Sequence, residues 1–153
     1  MQVINLFNGV ALIQQRMKSN IEIIKELYLD FSNGNTEGIK EKFHPEIEWA
    51  QMKGFPNGGF HIGFENINKN VFEGFNQNWT NWIVDVNEYV DANESVFAIG
   101  KYEGTYNETG KSFQAEFVHR YVVEKGKITK FTQYTDTHLI AEAMRKNASQ
   151  TGA

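Results

Sequence analysis

The hydrophobic period of this chain changes once, near Trp82, and that change restricts the folds open to it. Before Trp82 the apolar residues recur three and four apart; after it, four runs alternate with the period of a strand. The runs cover residues 82–91, 95–106, 111–124 and 127–136. Their connections are Asp91-Ala92-Asn93, Asn107-Glu108-Thr109-Gly110 and Glu124-Lys125-Gly126, which hold the turn residues of hairpins. Helices followed by a series of hairpins predict an α+β domain with an antiparallel sheet, not an alternating α/β fold.

Upstream, Ser19 and Asn20 can cap a helix whose apolar stripe is Ile21, Ile24, Leu27, Tyr28 and Phe31. Asn33-Gly34-Asn35 supplies left-handed turn chemistry to end it. Thr36 opens a second helix, Glu37 to Phe43, which His44-Pro45 stops. Residues 46–51 alternate as a first strand, and the glycine-rich stretch from Gly54 to Gly63 reads as a loop with a short strand near Phe60. A third helix from about Glu65 presents Ile67, Val71, Phe72, Phe75 and Trp79. A last one starts at Thr137 and runs through Leu139, Ile140, Ala143 and Met144. Residues 1–18 are taken as an extension, 19–147 as the domain and 148–153 as a flexible tail.

Composition removes several classes of function. A net charge of −4, with no run of Lys or Arg, predicts no nucleic-acid partner. Without cysteine there is no thiolate metal site and no Cys nucleophile, which fits a reducing cytoplasm. No stretch approaches the ~20 apolar residues that cross a bilayer, so no membrane partner is expected. His44, His61 and His138 lack metal-ligand spacing with a second His or carboxylate. No phosphate loop, dinucleotide fingerprint or nucleophile elbow occurs, so neither a metal nor a cofactor is predicted. Aromatics make up 14% of the chain, enough to wall an apolar pocket as well as to fill a core.

Turn chemistry predicts the faces of the sheet. If the two late hairpins close with three-residue loops, Val123 pairs with Lys127 and Asn107 with Lys111. One face then holds Phe97, Ile99, Phe113, Ala115, Phe117, His119, Tyr121, Phe131 and Gln133. The other holds Val96, Ala98, Tyr102, Val118, Arg120, Val122, Ile128 and Lys130. The first face is the more apolar and belongs under the helices, with His119 across from Phe131 and diagonal to Gln133. The second is too apolar for plain solvent surface, and a homodimer through it is predicted.

The run from Ala98 to Thr105, then Thr109-Gly110-Lys111 and Ala115-Glu116-Phe117-Val118-His119, resembles the core of SnoaL-like, ketosteroid-isomerase-like proteins. Gly126-Lys127-Ile128 and the run from Phe131 to Thr137 extend the likeness, as do Phe43-His44-Pro45, Trp49 and the segment Gly63 to Ile67. The resemblance covers roughly residues 20–144 in order. It implies the cone of the nuclear-transport-factor-like proteins, a curved antiparallel sheet with three helices closing a conical pocket. It does not imply one chemistry, because relatives include isomerases, cyclases, hydrolases, dehydratases and noncatalytic binding domains.

On that frame His119, inside an apolar cavity, is the first candidate for acid/base work or ligand anchoring. The resemblance to cyclases, which carry an Asp near the end of the last strand, makes Asp136 the second. The residue-level alternative is that Asp136 caps the helix beginning at Thr137. Tyr28 falls near the helix position where ketosteroid isomerases keep a tyrosine that donates to an oxyanion. No carboxylate stands near Trp49, where their general base would fall, so the known steroid isomerisation is not expected. Trp49, Phe117, Tyr121 and Gln133 complete the predicted substrate-binding wall. The expected function is isomerase-, cyclase- or hydrolase-type proton transfer on an apolar, carbonyl-bearing small molecule. The alternative is a noncatalytic domain that binds such a ligand.

Overall fold

The computed structural model describes residues 17–148, so the extension and the tail fall almost wholly outside the described residues. Helix α1 (Asn20–Asn33) starts on a capping box in which Ser19 and Glu22 satisfy each other's backbone N–H. It ends where Gly34 takes φ of 65°. Helix α2 (Thr36–Lys42) leads directly into β1 (Phe43–Gln51), followed by the short β2 (Gly59–Ile62). The next helical stretch is continuous: α3 (Phe64–Ile67), a π-helical turn (Asn68–Phe72) and α4 (Glu73–Asn78). Strands β3 (Trp79–Ala92), β4 (Ser95–Tyr106), β5 (Ser112–Glu124) and β6 (Lys127–Thr135) follow, then α5 (Thr137–Met144).

The six strands form one curved, unclosed sheet in the order β2-β1-β6-β5-β4-β3. All neighbours are antiparallel except β1 and β6, which run parallel and are separated in the chain by β2, the long helical stretch and strands β3, β4 and β5. The core lies between the inner face and the helices: Ile24 and Leu27 of α1 and Ile67 and Val71 of the long helical stretch pack over Ile47, Val96 and Ile128. Among the described residues no helix is long and apolar enough to cross a membrane.

Two loop lengths differ from expectation. The β4–β5 loop has four residues, not three, so Tyr106 bonds Lys111 and Thr105 pairs with Ser112. This shift of one turns β4 over. Val96, Ala98 and Tyr102 face inward and are buried, while Phe97 and Ile99 are only partly covered on the outer face. The β5–β6 loop is shorter than expected: Glu124 pairs with Lys127, and Lys125 and Gly126 both adopt positive φ. That should also have inverted β6. A bulge after Val122 compensates, because Thr129 is an extra residue that restores the parity. Phe131 and Gln133 therefore stay inside as predicted, while Ile128, expected outside, is fully buried.

Candidate functional site

Strand β5 lays Phe117, His119 and Tyr121 on the inner face at two-residue spacing. Gln133 of β6 stands directly across from His119, and Phe131 across from Tyr121. On the other side Ala98 is opposite His119, a small residue beside a large one. Phe117 stacks on the imidazole at 3.9 Å between ring centroids, and Phe131 meets it edge-on at 5.0 Å. Trp49 comes from β1 and stacks on Phe131 at 3.7 Å.

Trp49, His119, Tyr121 and Phe131 form the floor of a cavity of about 470 Å³, within the range of small-ligand sites. Tyr28 and Phe31 of α1, with Asn68, Val71, Phe72 and Phe75 of the long helical stretch, form its opposite wall. The π-helical turn carries Asn68, Val71 and Phe72 onto that wall. Among the described residues, no Asp, Glu, Lys or Arg lines it.

Five of the polar side chains here, Tyr28, Tyr102, His119, Tyr121 and Gln133, are joined to one another. Tyr28 Oη lies 2.7 Å from His119 Nδ1, and Tyr121 donates its hydroxyl to Tyr28 Oη at 2.8 Å. The other imidazole nitrogen, Nε2, is bonded to the hydroxyl of Tyr102. Gln133 donates from Nε2 to that same hydroxyl at 2.9 Å. Both nitrogens of His119 are thus engaged by phenols. Burial drives the imidazole pKa down to about 3, so the ring is neutral at physiological pH. Burial likewise pushes the phenols of Tyr28, Tyr102 and Tyr121 above their ordinary range, with the neighbouring Tyr121 adding to the effect on Tyr28. The result is a neutral hydrogen-bonding cluster in an uncharged, aromatic cavity.

Of the residues singled out from sequence, His119, Tyr28, Trp49 and Tyr121 line this cavity together. Phe117 and Gln133 sit one layer behind, the first beneath the imidazole and the second holding Tyr102. Asp136 is elsewhere: it is exposed, caps α5, and accepts a hydrogen bond from the His138 backbone N–H. Strict alternation in β6 turns it away from the inner face. Tyr102 is the cavity residue that sequence reasoning placed on the wrong face. The signal that could have found it is the length of the Asn107–Gly110 loop. Gln51 was also missed, although its alternation with Trp49 in β1 puts both on one face. Its Oε1 is buried without a partner, as is Nε1 of Trp49. Among the described residues no group of three or more His, Asp or Glu side chains could hold a metal ion.

Residues 24–131 match the model of the SnoaL-like domain. The chain belongs to the SnoaL-like family. An NTF2-like protein from Burkholderia thailandensis is similar at 34% identity and a TM-score of 0.82, over 84% of this chain and 99% of that one. TerC, co-crystallised with polyporic acid, is similar at 26% identity and a TM-score of 0.74, over 82% and 97% of the two chains. A putative SnoaL-like polyketide cyclase from Mesorhizobium loti shares the fold, at 21% identity and a TM-score of 0.63 over 76% and 99%. No curated protein sequence matches the chain.

Proposed function

We propose that this protein is a small-molecule enzyme of isomerase or cyclase type, acting on an uncharged, carbonyl-bearing, largely apolar substrate. The observation that carries this reading is the pairing of an aromatic cavity free of formal charge with one cluster of phenol and imidazole hydrogen-bonding groups. A carbonyl oxygen of the ligand accepts from that cluster, and the rings hold the rest of the molecule. SnoaL-like membership and the polyketide cyclase of the same fold support the reaction class, and the polyporic acid complex of TerC supports a small organic ligand. Asp136 has no part in it.

One observation favours a second reading, noncatalytic ligand binding: every nitrogen of His119 is engaged, and no carboxylate lines the cavity to serve as a base. Turnover of a bound ligand separates the two.

The charge-free lining makes a direct test. Calorimetry should find that 2-acetylnaphthalene binds, while 2-naphthoate, of nearly the same shape, binds at least about 100-fold more weakly, because its carboxylate would be buried without a counter-charge. Naphthoate binding as tightly as the ketone, or failure of both to bind, would sink the reading.

The protein is further proposed to work as a homodimer through the outer face of the sheet. Three of the residues first expected there, Val96, Ala98 and Ile128, belong to the core. The outer patch is instead Phe97, Ile99, Val118 and Val122, all only partly covered within one chain. Sedimentation equilibrium at micromolar concentration should report twice the chain mass of 17.6 kDa. A Phe97→Asp variant should sediment as a monomer, and a monomeric parent protein would overturn the assignment.

A further inference from the structure

The polar cluster contains one more mobile proton than its internal hydrogen bonds use. Tyr121, Tyr28, neutral His119 and Tyr102 each carry one such proton, and three hydrogen bonds join them in series. Tyr121 spends its proton on Tyr28. The remaining two bonds can be made in two ways. In the first, Tyr28 donates to Nδ1 and the Nε2–H donates to Tyr102. Tyr102 Oη then accepts from both His119 and Gln133, and its own O–H is left over. In the second, the Nδ1–H donates to Tyr28, Tyr102 donates to Nε2, and the Tyr28 O–H is left over. Both tyrosines line the cavity, so either spare hydroxyl can reach a ligand.

We propose that this cluster is a neutral proton relay that tautomerises a conjugated hydroxy-carbonyl compound, Tyr102 giving a proton to one end of the ligand while Tyr28 takes one from the other. This rests on the assignment of the cavity to an uncharged carbonyl-bearing ligand. The Tyr102 O–H proton passes to the ligand's carbonyl oxygen, and the Nε2–H proton replaces it on Tyr102. The Tyr28 proton moves to Nδ1, and the ligand's hydroxyl proton moves to Tyr28. Four O–H or N–H bonds break and four form. The ligand loses one proton and gains one, its double bonds shift along the conjugated path, and the cluster passes from the first arrangement to the second. No group ends charged, as a cavity without counter-ions requires. A burial-depressed imidazole suits this role, because it can exchange one proton for another while avoiding the imidazolium state. Tyr28 and Tyr102 touch the ligand; His119 acts between them. Two hydrogen bonds and one imidazole ring separate the two phenol oxygens, about 7 Å at most, and a ligand between them reaches each through a hydrogen bond of its own.

The tautomers of His119 can be read by two-bond proton–nitrogen correlation NMR on the nitrogen-15-labelled full chain, with His119→Gln identifying its signals. Both ring nitrogens of the parent protein should lie at shifts intermediate between protonated and bare. Tyr102→Phe leaves Nε2 without a partner and should drive the ring to the Nδ1–H form; Tyr28→Phe should drive it to the Nε2–H form. A single fixed tautomer in the parent protein, or the same tautomer in both variants, overturns the relay. With the enol of benzoylacetone bound, which offers a hydroxyl and a carbonyl together, both ring nitrogens of the parent protein should stay at intermediate shifts, while each Tyr→Phe variant should keep its single tautomer. Benzoylacetone that binds and fixes the parent ring in one tautomer overturns the relay and leaves the binding reading standing. Benzoylacetone that does not bind overturns the hydroxy-carbonyl class, while the uncharged-ligand reading is judged on acetylnaphthalene and naphthoate.

Discussion

Replacing Gly100 by Ala should destabilise the domain by about 3 kcal/mol or more, a larger loss than most single substitutions produce. A Cβ there would lie 2.0 Å from the backbone oxygen of Asp85 and 2.9 Å from the Cα of Val86. Neither is a side-chain tip that can swing aside; both belong to the neighbouring strand. Gly100 pairs with Val86, and the next pair is Glu88 with Ile99, so Asn87 is an extra residue in β3. The bulge bends β3 against β4, and the bare Cα of Gly100 is what lets the two backbones approach so closely. The substitution forces the strands apart at the bend that curves the sheet around the cavity. Urea unfolding measures the loss, and near-parent stability would show that β3 relaxes without harm to the bend.

Above pH 10 the protein should lose stability at about 4 kcal/mol per pH unit, one share from each of Tyr28, Tyr102 and Tyr121. Burial raises all three phenols above their ordinary value. In the unfolded chain they ionise near 10, so the unfolded state releases protons while the native state holds them. The stabilisation is whole below that pH and is lost as the pH rises. For a domain stable by ~5–15 kcal/mol, three such groups lead to unfolding within about one to four pH units. Urea unfolding at stepped pH gives the slope, and Tyr121→Phe should lower it by about a third. Ionisation of these phenols while circular dichroism still reports the native fold would contradict the picture of a sealed cluster.

Much of this molecule could be read without coordinates, for a local reason. Capping by Ser19, the left-handed stop at Gly34 and the alternation of β5 are short-range matters, settled by residues within a few positions of one another. They were enough to place α1 and to put Phe117, His119 and Tyr121 on one inward face, while the family resemblance brought Tyr28 to that face. Asp136 shows where this kind of information divides. Its preference for a helix N-cap is local, and it prevailed over the role that resemblance to cyclases implied.

The composition of the site beyond that face depended on pairing between strands. Whether Tyr102 points in or out turns on a single residue in the Asn107–Gly110 loop, because side chains alternate with a period of two and a shift of one exchanges the faces. The bulge at Thr129 carries the same weight in the opposite sense, keeping Gln133 under Tyr102 although the neighbouring loop is short. Local composition says little about either, since several loop lengths suit the same Gly and Asn residues. The energy that selects among them comes from burying Val96, Ala98 and Tyr102 against the helices. The pattern of the chain therefore specified an α+β domain with His119 on the inner face of its sheet, and the family resemblance supplied the cone. Long-range packing chose the phenols that flank the imidazole, and with them the chemistry available to the cavity.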